Sequence, residues 1–515
     1  MKALLLTALL LLAGNVCAAV NLYIALDSVS APFSRVDPGQ EVTFRYRYGT
    51  SAVVDARLIH PLPAGARLVR WSDPRWNCTQ GSGAVLCARR LDPTESFYDR
   101  ILDLTIAAPE DPAGLVFNAK ARIESDQPDP QSYDNEIGIT MIVYHVLTVT
   151  TADDFGAGSL RDTLLRANAE CHEAVPCKVT FAEPMRIVPR SPLPAITACD
   201  LQIDGGGYQH ETRNRSFDKP RRVEISGEDA GAADGFVIAD ACSLHVLIGA
   251  TLQGLAIHSF SGNGVSVVPP ADPGVSVIGC SVTSNLRGIS VDAPKAGASV
   301  TDSLIAGNVR SGIAYWQGTG GGLSGNLVGV AFGGVPMPNG ASGVYVNGGF
   351  VSTSGNAIEY NHDFGVAVGP GAAHFISRYD DYIALNGGIA VDWGLDGPTA
   401  IDHSGRMPPV PRLIDAFYDA PRNRTVIRGV IPMDKDTPQN FYEVLANVAD
   451  GDFQGGIGAM PGTPLLQAIG SDLPFEIFAI GNYQGRFVTA RTLRQVDLDF
   501  IPVDSSESGA GIMVR

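Results

Sequence analysis

Arg378, Asp380 and Asp381, in "RYDDY", place one base and two acids within four residues, and proximity of this kind can serve proton transfer. Strand alternation sends Asp380 and Asp381 to opposite faces, which favours a plain turn carboxylate. A second set comes from the residues that follow recurring apolar triplets: Asp292, Trp316, Asn347, Gly369 and Asp392. If they point outward together, an indole beside carboxylates and an amide makes a sugar platform, because aromatic faces stack on sugar C–H surfaces while polar neighbours bond hydroxyls. The competing expectation is that the Gly-rich stretch after Trp316 folds over the ring. Asp292 and Asp392 lie four triplets apart, roughly 19 Å at the strand spacing. Paired glycosidase carboxylates need about 5 to 9.5 Å, so these two are not such a pair. Asp126, Asp129 and Asp134 cluster hard-oxygen donors suited to calcium, although their spacing matches no defined calcium loop and a solvated acidic turn explains them as well.

Other chemistry is excluded or unsupported. The nine histidines are scattered, with His362 and His374 in different turns, so no zinc spacing occurs. No glycine-rich loop stands between a strand and a helix, and no Gly-x-Ser-x-Gly elbow is present. No cofactor is implied, calcium being the one possibility left open. With 54 acidic against 37 basic residues the net charge is -17, which argues against nucleic acid and anionic lipid as partners.

The 515 residues exceed one ordinary core. Residues 1–19, "MKALLLTALLLLAGNVCAA", put one Lys before an apolar run and close on small residues, as a secretory signal peptide does. Cleavage is expected after Ala18 or Ala19. Cys17 lacks the residues that precede a lipid-modified cysteine. No other segment is apolar and long enough to span a bilayer, so an exported protein, secreted or held at the cell surface, is expected. Export permits disulfides. Cys78 with Cys87 and Cys171 with Cys177 could each close a small loop; Cys199 and Cys242 form a bridge or remain buried thiols; Cys280 is left as core filler.

Residues 20–146 read as short alternating strands with no helical stretch, an antiparallel β-sandwich. "DPGQEVTFRYRYG", "PLPAGARLV", the Cys78/Cys87 loop and "ARIESDQPDPQSYDNE" resemble the immunoglobulin-like conserved-repeat domain of bacterial surface proteins. In "DDFGAGSLRDTLLRANAE", Ser159 and Asp162 form a capping box, and Leu160, Leu164 and Ala167 recur at helical spacing. "GSLRDTL" is similar to the Ser-Leu-Arg-Glu-Ala-like motif that opens many secreted right-handed parallel β-helix proteins, with Asp162 for Glu and Thr163 for Ala. The resemblance implies a helix that covers the first coil and shields an unpaired strand edge.

Triplets recur at Val265, Ile289, Ile313, Val344, Val366 and Ile389, with steps of 24, 24, 31, 22 and 23 residues. That period and the two-residue alternation fit stacked β-coils, with the first and third triplet residues as inner aliphatic ladders. Asn263, Asn285, Asn308, Asn361 and Asn386 precede triplets and are placed to bond their counterparts from coil to coil. The expected fold is all-β: a right-handed parallel β-helix over 147–408, flanked by the N-terminal sandwich and a C-terminal β-sandwich or cap over 409–515.

The pectate-lyase-like superfamily that this pattern resembles often acts on acidic polysaccharides. Its lyases use aspartate-held calcium with an Arg or Lys base, and its galacturonases use three aspartates. Neither signature stands here in order. The leading expectation is a long surface for polysaccharide or cell-surface recognition, adhesin-like, with Asp292, Trp316, Asn347 and Asp392 as glycan contacts and no catalysis required. The alternatives are a polysaccharide lyase or glycoside hydrolase acting through Arg378, Asp380 and Asp381, or a structural spacer displaying the N-terminal sandwich.

Overall fold

The computed structural model describes residues 20–30, 35–110, 114–207, 221–240, 242, 249–272, 274–377, 381–395, 411–431, 441–448, 473–480, 482, 484, 487–495, 502–505 and 512–515. The leader at 1–19 and the candidates Arg378 and Asp380 lie outside the described residues. The chain divides into two compact units: residues up to Val146 with Ala174–Cys177, and Leu147–Glu173 with all residues from Lys178 onward.

The first unit is a sandwich of a four-stranded and a six-stranded sheet, antiparallel except where Arg35–Val36 pairs with Ile142–Val143. In Glu41–Thr50, alternation turns Val42, Phe44, Tyr46 and Tyr48 inward, where all four are buried. Two polar groups in this core are matched. Tyr46 Oη and His60 Nδ1 are 2.7 Å apart, and burial depresses the His60 imidazole to about 3. The buried Arg89 guanidinium lies 3.1 Å from Asp73 and also pairs with Glu95 and the Tyr48 hydroxyl, so its charge is compensated. Cys78 and Cys87 face each other on adjacent strands and form a disulfide.

The second unit is a parallel β-helix built from three sheets. The nine-stranded first sheet runs from His145–Val149 to His374–Ser377, the eight-stranded second from Met185–Ile187 to Tyr382–Ala384, and the seven-stranded third from Phe236–Ile238 to Val391–Trp393. Each coil passes first to second to third sheet. In the third sheet Val265, Ile289, Ile313, Val344 and Val366 align in register, as do Val267, Val291, Tyr315, Val346 and Val368, and all ten are fully buried. These ladders are the dry interior that alternation requires.

The last coil departs from the expected phase. Val366 pairs with Val391, not Ile389, so the strand is Val391–Trp393 and the step is two residues longer. The long step of the preceding coils also resolves. Gly320–Ser324 and Leu327–Val328 are ordinary coil strands, and the extra length is a hairpin, Val330–Ala331 against Val335–Pro336. Val330 buries itself with Leu327 and Ala357 on the second sheet's outer face, so the insert does not fold over Trp316 by way of that hairpin.

Both short corners carry a repeated left-handed residue. After the first sheet these are Gly254, Gly279, Asp302, Gly325 and Gly355; after the second, Ser259, Ser284, Gly307, Gly329, Tyr360 and Leu385. Glycine takes this conformation freely, and the non-glycine members hold it because stacked coils fix the corner around them.

Next to each corner stands a polar column. Asn285 N–H donates to Asn308 Oδ1 (3.0 Å), Asn308 N–H to Asn339 Oδ1 (3.1 Å), Asn339 Nδ2 to Asn361 Oδ1 (2.8 Å) and Asn361 N–H to Asn386 Oδ1 (3.0 Å). Asn263 is not a member. Phe260 occupies its coil's ladder site, donating its N–H to Asn285 Oδ1, while Asn263 bonds Ser266 and Asp234. Asn339, hidden by the hairpin insertion, takes the vacant rung.

The helix Leu160–Glu170 buries Leu160, Thr163, Leu164 and Ala167. Ser159 Oγ accepts from Asp162 N–H at 3.2 Å, while the return bond runs from Gly158 N–H to Asp162 rather than from Ser159. Asn168 pins the helix to the segment beside it, donating to Ala195 O at 2.7 Å and accepting from Thr197 and Ala198 N–H. Cys199 and Cys242 form a disulfide, Cys171 and Cys177 are also disulfide-bonded, and Cys280 is a free buried thiol that burial pushes up to about 11. At the C-terminus, Arg412–Asp419, Arg424–Ile431 and Leu473–Ile480 form one small antiparallel sheet, and Phe441–Val448, Phe487–Gln495, Pro502–Ser505 and Ile512–Met513 another. Among the described residues no helix is long and apolar enough to cross a membrane.

Candidate functional site

The third sheet's outer face carries the aromatic surface that the triplet pattern pointed to. Its middle-position residues, Ser266, Ser290, Ala314, Tyr345, Ala367 and Asp392, point away from the interior ladders. Strand Ile313–Gln317 bulges here: Val291 pairs with Tyr315 but Asp292 with Gln317, so Trp316 is the extra residue. A bulge frees one side chain from the pleat. The indole reaches back to donate its N–H to Ser290 Oγ at 3.2 Å and packs at 4.8 Å, tilted, against Tyr345 in the following coil. Arg287, in the preceding coil, sets its guanidinium 5.1 Å from the indole centroid. Trp316 remains 38% exposed, so it is held in place yet reachable.

Besides the Asp292 carboxylate at this corner, the indole has a guanidinium neighbour that the sequence pattern did not single out. Burial, and then the Arg310 charge in the next coil, lower Arg287 from its ordinary value, and neither arginine forms an ion pair among the described residues. Arg287, Ser290 and Tyr345 were not singled out from sequence; only the coil register, which sets positions 24 to 31 residues apart side by side, reveals them.

The other predicted contacts fall into two groups. Asp292 is exposed at the same corner and accepts from Gln317 Nε2 at 2.7 Å, and Asn347 bonds Gly371 N–H at 3.1 Å and the Trp316 carbonyl at 3.5 Å. These residues sit in successive coils beside Trp316. Asp392 does not join them on the surface. The phase shift of the last coil puts it at a middle position, where it is 0% exposed.

Asp381 is also buried. It ends the second polar column, in which Cys280 N–H donates to Ser303 Oγ, Ser303 N–H to Asn326 Oδ1, Asn326 N–H to Asn356 Oδ1, and Asn356 N–H to Asp381 Oδ1 at 3.0 Å. Its other oxygen accepts from Thr353 and Ser377 hydroxyls at 2.5 and 2.8 Å. Asp381 is 2% exposed.

In the sandwich the three acidic candidates have separate tasks. Asp126 pairs with Arg57 at 2.7 Å. Burial opposes ionisation of Asp129, but hydrogen bonds from Leu22 N–H, Gln131 N–H and Asn135 outweigh it and hold the carboxyl below its ordinary range. Asp134 belongs to the short 3-10 turn Ser132–Asp134. Among the described residues no three His, Cys, Asp or Glu side chains are grouped to hold a metal.

A groove of about 450 Å³ crosses the first sheet's outer face, floored by Gly274, Gly297 and Gly320 and edged by Ser276, Ser299 and Phe350. The floor must be glycine. A Cβ on Gly274 would stand 2.1 Å from Gly297 O, and one on Gly297 2.2 Å from Gly320 O. Trp316 and Asn347 precede the groove residues Gly320 and Phe350 across the short third-to-first corner.

No protein-family model and no curated protein sequence matches the chain. Solved structures similar to it include the mannuronan C-5 epimerase AlgE6 A-module of Azotobacter vinelandii, at 12% identity and TM-score 0.29, covering 49% of this chain and 63% of that one. The catalytic unit of the GH87 alpha-1,3-glucanase of Streptomyces thermodiastaticus matches at 12% identity and TM-score 0.28, over 65% of this chain and 67% of that one. The enzymatically active domain of bacteriophage CBA120 tailspike protein 2 matches at 9% identity and TM-score 0.23, over 65% of this chain and 70% of that one. The chain thus spans under two thirds of the epimerase module's length.

Proposed function

We propose that this is an exported protein, secreted or at the cell surface, whose β-helix recognises a polysaccharide or other surface glycan on the outer face of the third sheet. One observation carries the reading: Trp316 is displaced outward by a bulge, fixed by Ser290 and Tyr345, and still 38% exposed. A side chain immobilised before binding loses little entropy when ligand arrives. Asp292, Gln317 and Asn347 supply hydrogen-bonding groups beside it, and the groove past the corner gives an elongated ligand room to continue. The disulfides agree with an extracellular setting, and the N-terminal sandwich is read as the surface-protein conserved-repeat domain that its sequence resembles. The buried Asp381 takes support from the lyase or hydrolase alternative.

The test is retention on a glycan array and on immobilised polysaccharides. Trp316→Ala should weaken retention about tenfold to a hundredfold, in line with loss of one aromatic stacking contact. Unchanged retention of this variant on every glycan that holds the parent chain rejects the site.

A further inference from the structure

The outer face of the second sheet holds a group of side chains with no part in the glycan site. Glu224 and His258 lie on adjacent strands, Val223–Ser226 and Leu255–His258, and Ser259 follows at the left-handed corner. His258 Nε2 is 2.9 Å from Glu224 Oε1, and His258 Nδ1 is 2.9 Å from Ser259 Oγ. Glu224 also accepts from Arg186 Nε at 2.6 Å, and Arg186 reaches Glu228 at 2.8 Å. Burial works against ionisation of Glu224, but hydrogen bonds from Arg186 and His258 outweigh it and hold the carboxyl below its ordinary range. An ionised carboxylate only accepts, so Nε2 carries the imidazole proton and Nδ1 is left to accept from the serine hydroxyl. Arg186 thus bridges Glu224 and Glu228, and Glu224 Oε1 accepts from both Arg186 and His258.

We infer that Ser259, His258 and Glu224 form a nucleophile–base–orienter relay able to cleave a carboxylic ester displayed on the outside of a larger molecule. The arrangement meets the geometric requirement for an activated serine: nucleophile and base in hydrogen-bond contact, and the base held by a third group. The Ser259 backbone holds the left-handed corner, φ 62°, and its Oγ stands 2.9 Å from His258 Nδ1. Its backbone N–H makes no hydrogen bond among the described residues and is available to the oxygen that becomes negative. The relay lies on an open sheet face, with the His258 side chain 23% and Glu224 35% exposed, so it suits a protruding ester better than a small molecule needing enclosure.

The chemistry balances without a co-reactant other than water. Ser259 Oγ attacks the carbonyl carbon as its proton passes to His258 Nδ1. The bond from that carbon to the alcohol oxygen breaks, and the alcohol leaves with the proton from Nδ1. Water then attacks the acyl-serine, giving its proton to Nδ1, and the carboxylic acid departs as Ser259 is restored.

The test uses the full chain with a fluorophosphonate reagent and with p-nitrophenyl acetate. The expected result is one phosphonyl adduct on the peptide containing Ser259. Ser259→Gly, which suits the corner conformation, should remove the adduct and lower ester turnover at least tenfold. His258→Gln should do the same through loss of the base. Glu224→Gln should lower kcat on the ester at least tenfold with KM nearly unchanged, because the imidazole loses the carboxylate that orients it. Absence of the adduct, a Ser259→Gly rate equal to the parent's, or an unchanged kcat in Glu224→Gln overturns the relay. None of these outcomes bears on glycan retention by Trp316, so the two sites fail or stand separately.

Discussion

At the scale of single residues, the polar columns show what the repeat demands. Asn308 is 2% exposed; its Nδ2 donates to Val282 O and Asn339 Oδ1, and its Oδ1 accepts from Asn285 N–H. Removing the amide strands several buried backbone groups at once, each costing about 1–3 kcal/mol when unpaired. Asn308→Ala should therefore destabilise the β-helix by roughly 2–4 kcal/mol in chemical denaturation. Asn263→Ala, outside the column, should cost under about 1 kcal/mol. Equal effects from the two would contradict the ladder. Four of the five rungs, Asn285, Asn308, Asn361 and Asn386, were legible from their place before a triplet. Asn339 was not, because the hairpin stands between it and its expected spacing, and Asn263 misled because Phe260 had taken its place. Asp392 is a different case: a two-residue lengthening of the last coil moves it from the position after the triplet to the middle one, still on the outer face, and its burial there is nothing that spacing reveals.

At the scale of elements, alternation and capping residues were enough to find the coils and the helix Leu160–Glu170, whereas insertions registered only as excess length. The helix is decisive for stability because its apolar stripe is spent on the coil beside it: Leu164 is 0% exposed. Leu164→Ala should cost about 2–5 kcal/mol, the usual range for a buried leucine, and should raise binding of a hydrophobic dye before the main thermal transition. Leu165, 56% exposed on the opposite side, supplies the contrast; Leu165→Ala should change the midpoint little. A similar response from both variants would mean that the helix does not cover the coil. The relay of Glu224 and His258 lies beyond any pattern of this kind. Its members are 34 residues apart, a separation that means contact only once coils are known to stack.

At the scale of the whole molecule, two buried groups should give the two units opposite responses to pH. His60, in the sandwich, is held neutral by burial with its value near 3, against about 6.5 in an unfolded chain. Below pH 6.5 the unfolded sandwich takes up a proton that the folded one refuses, so stability falls as pH drops, by roughly 3 kcal/mol at pH 4.5. Glu359 is the reverse case. It follows Ala357 on the second sheet's outer face, is 4% exposed, and burial raises it to about 7 from 4.5. The folded β-helix keeps this proton when the unfolded chain has lost it, so the stability it contributes is full below pH 4.5 and is lost as pH rises through 7, again by about 3 kcal/mol. Other carboxylates titrate over the same range, and the comparison must be made between parent and variant. Calorimetry from pH 4.5 to 7.5 should show His60→Gln flattening the acid loss of the sandwich transition alone, and Glu359→Gln flattening the alkaline loss of the β-helix transition alone. A variant that shifts both transitions, or a Glu359→Gln profile that keeps the parent's slope, would contradict the assignment of these two proton sites to two independently cooperative units.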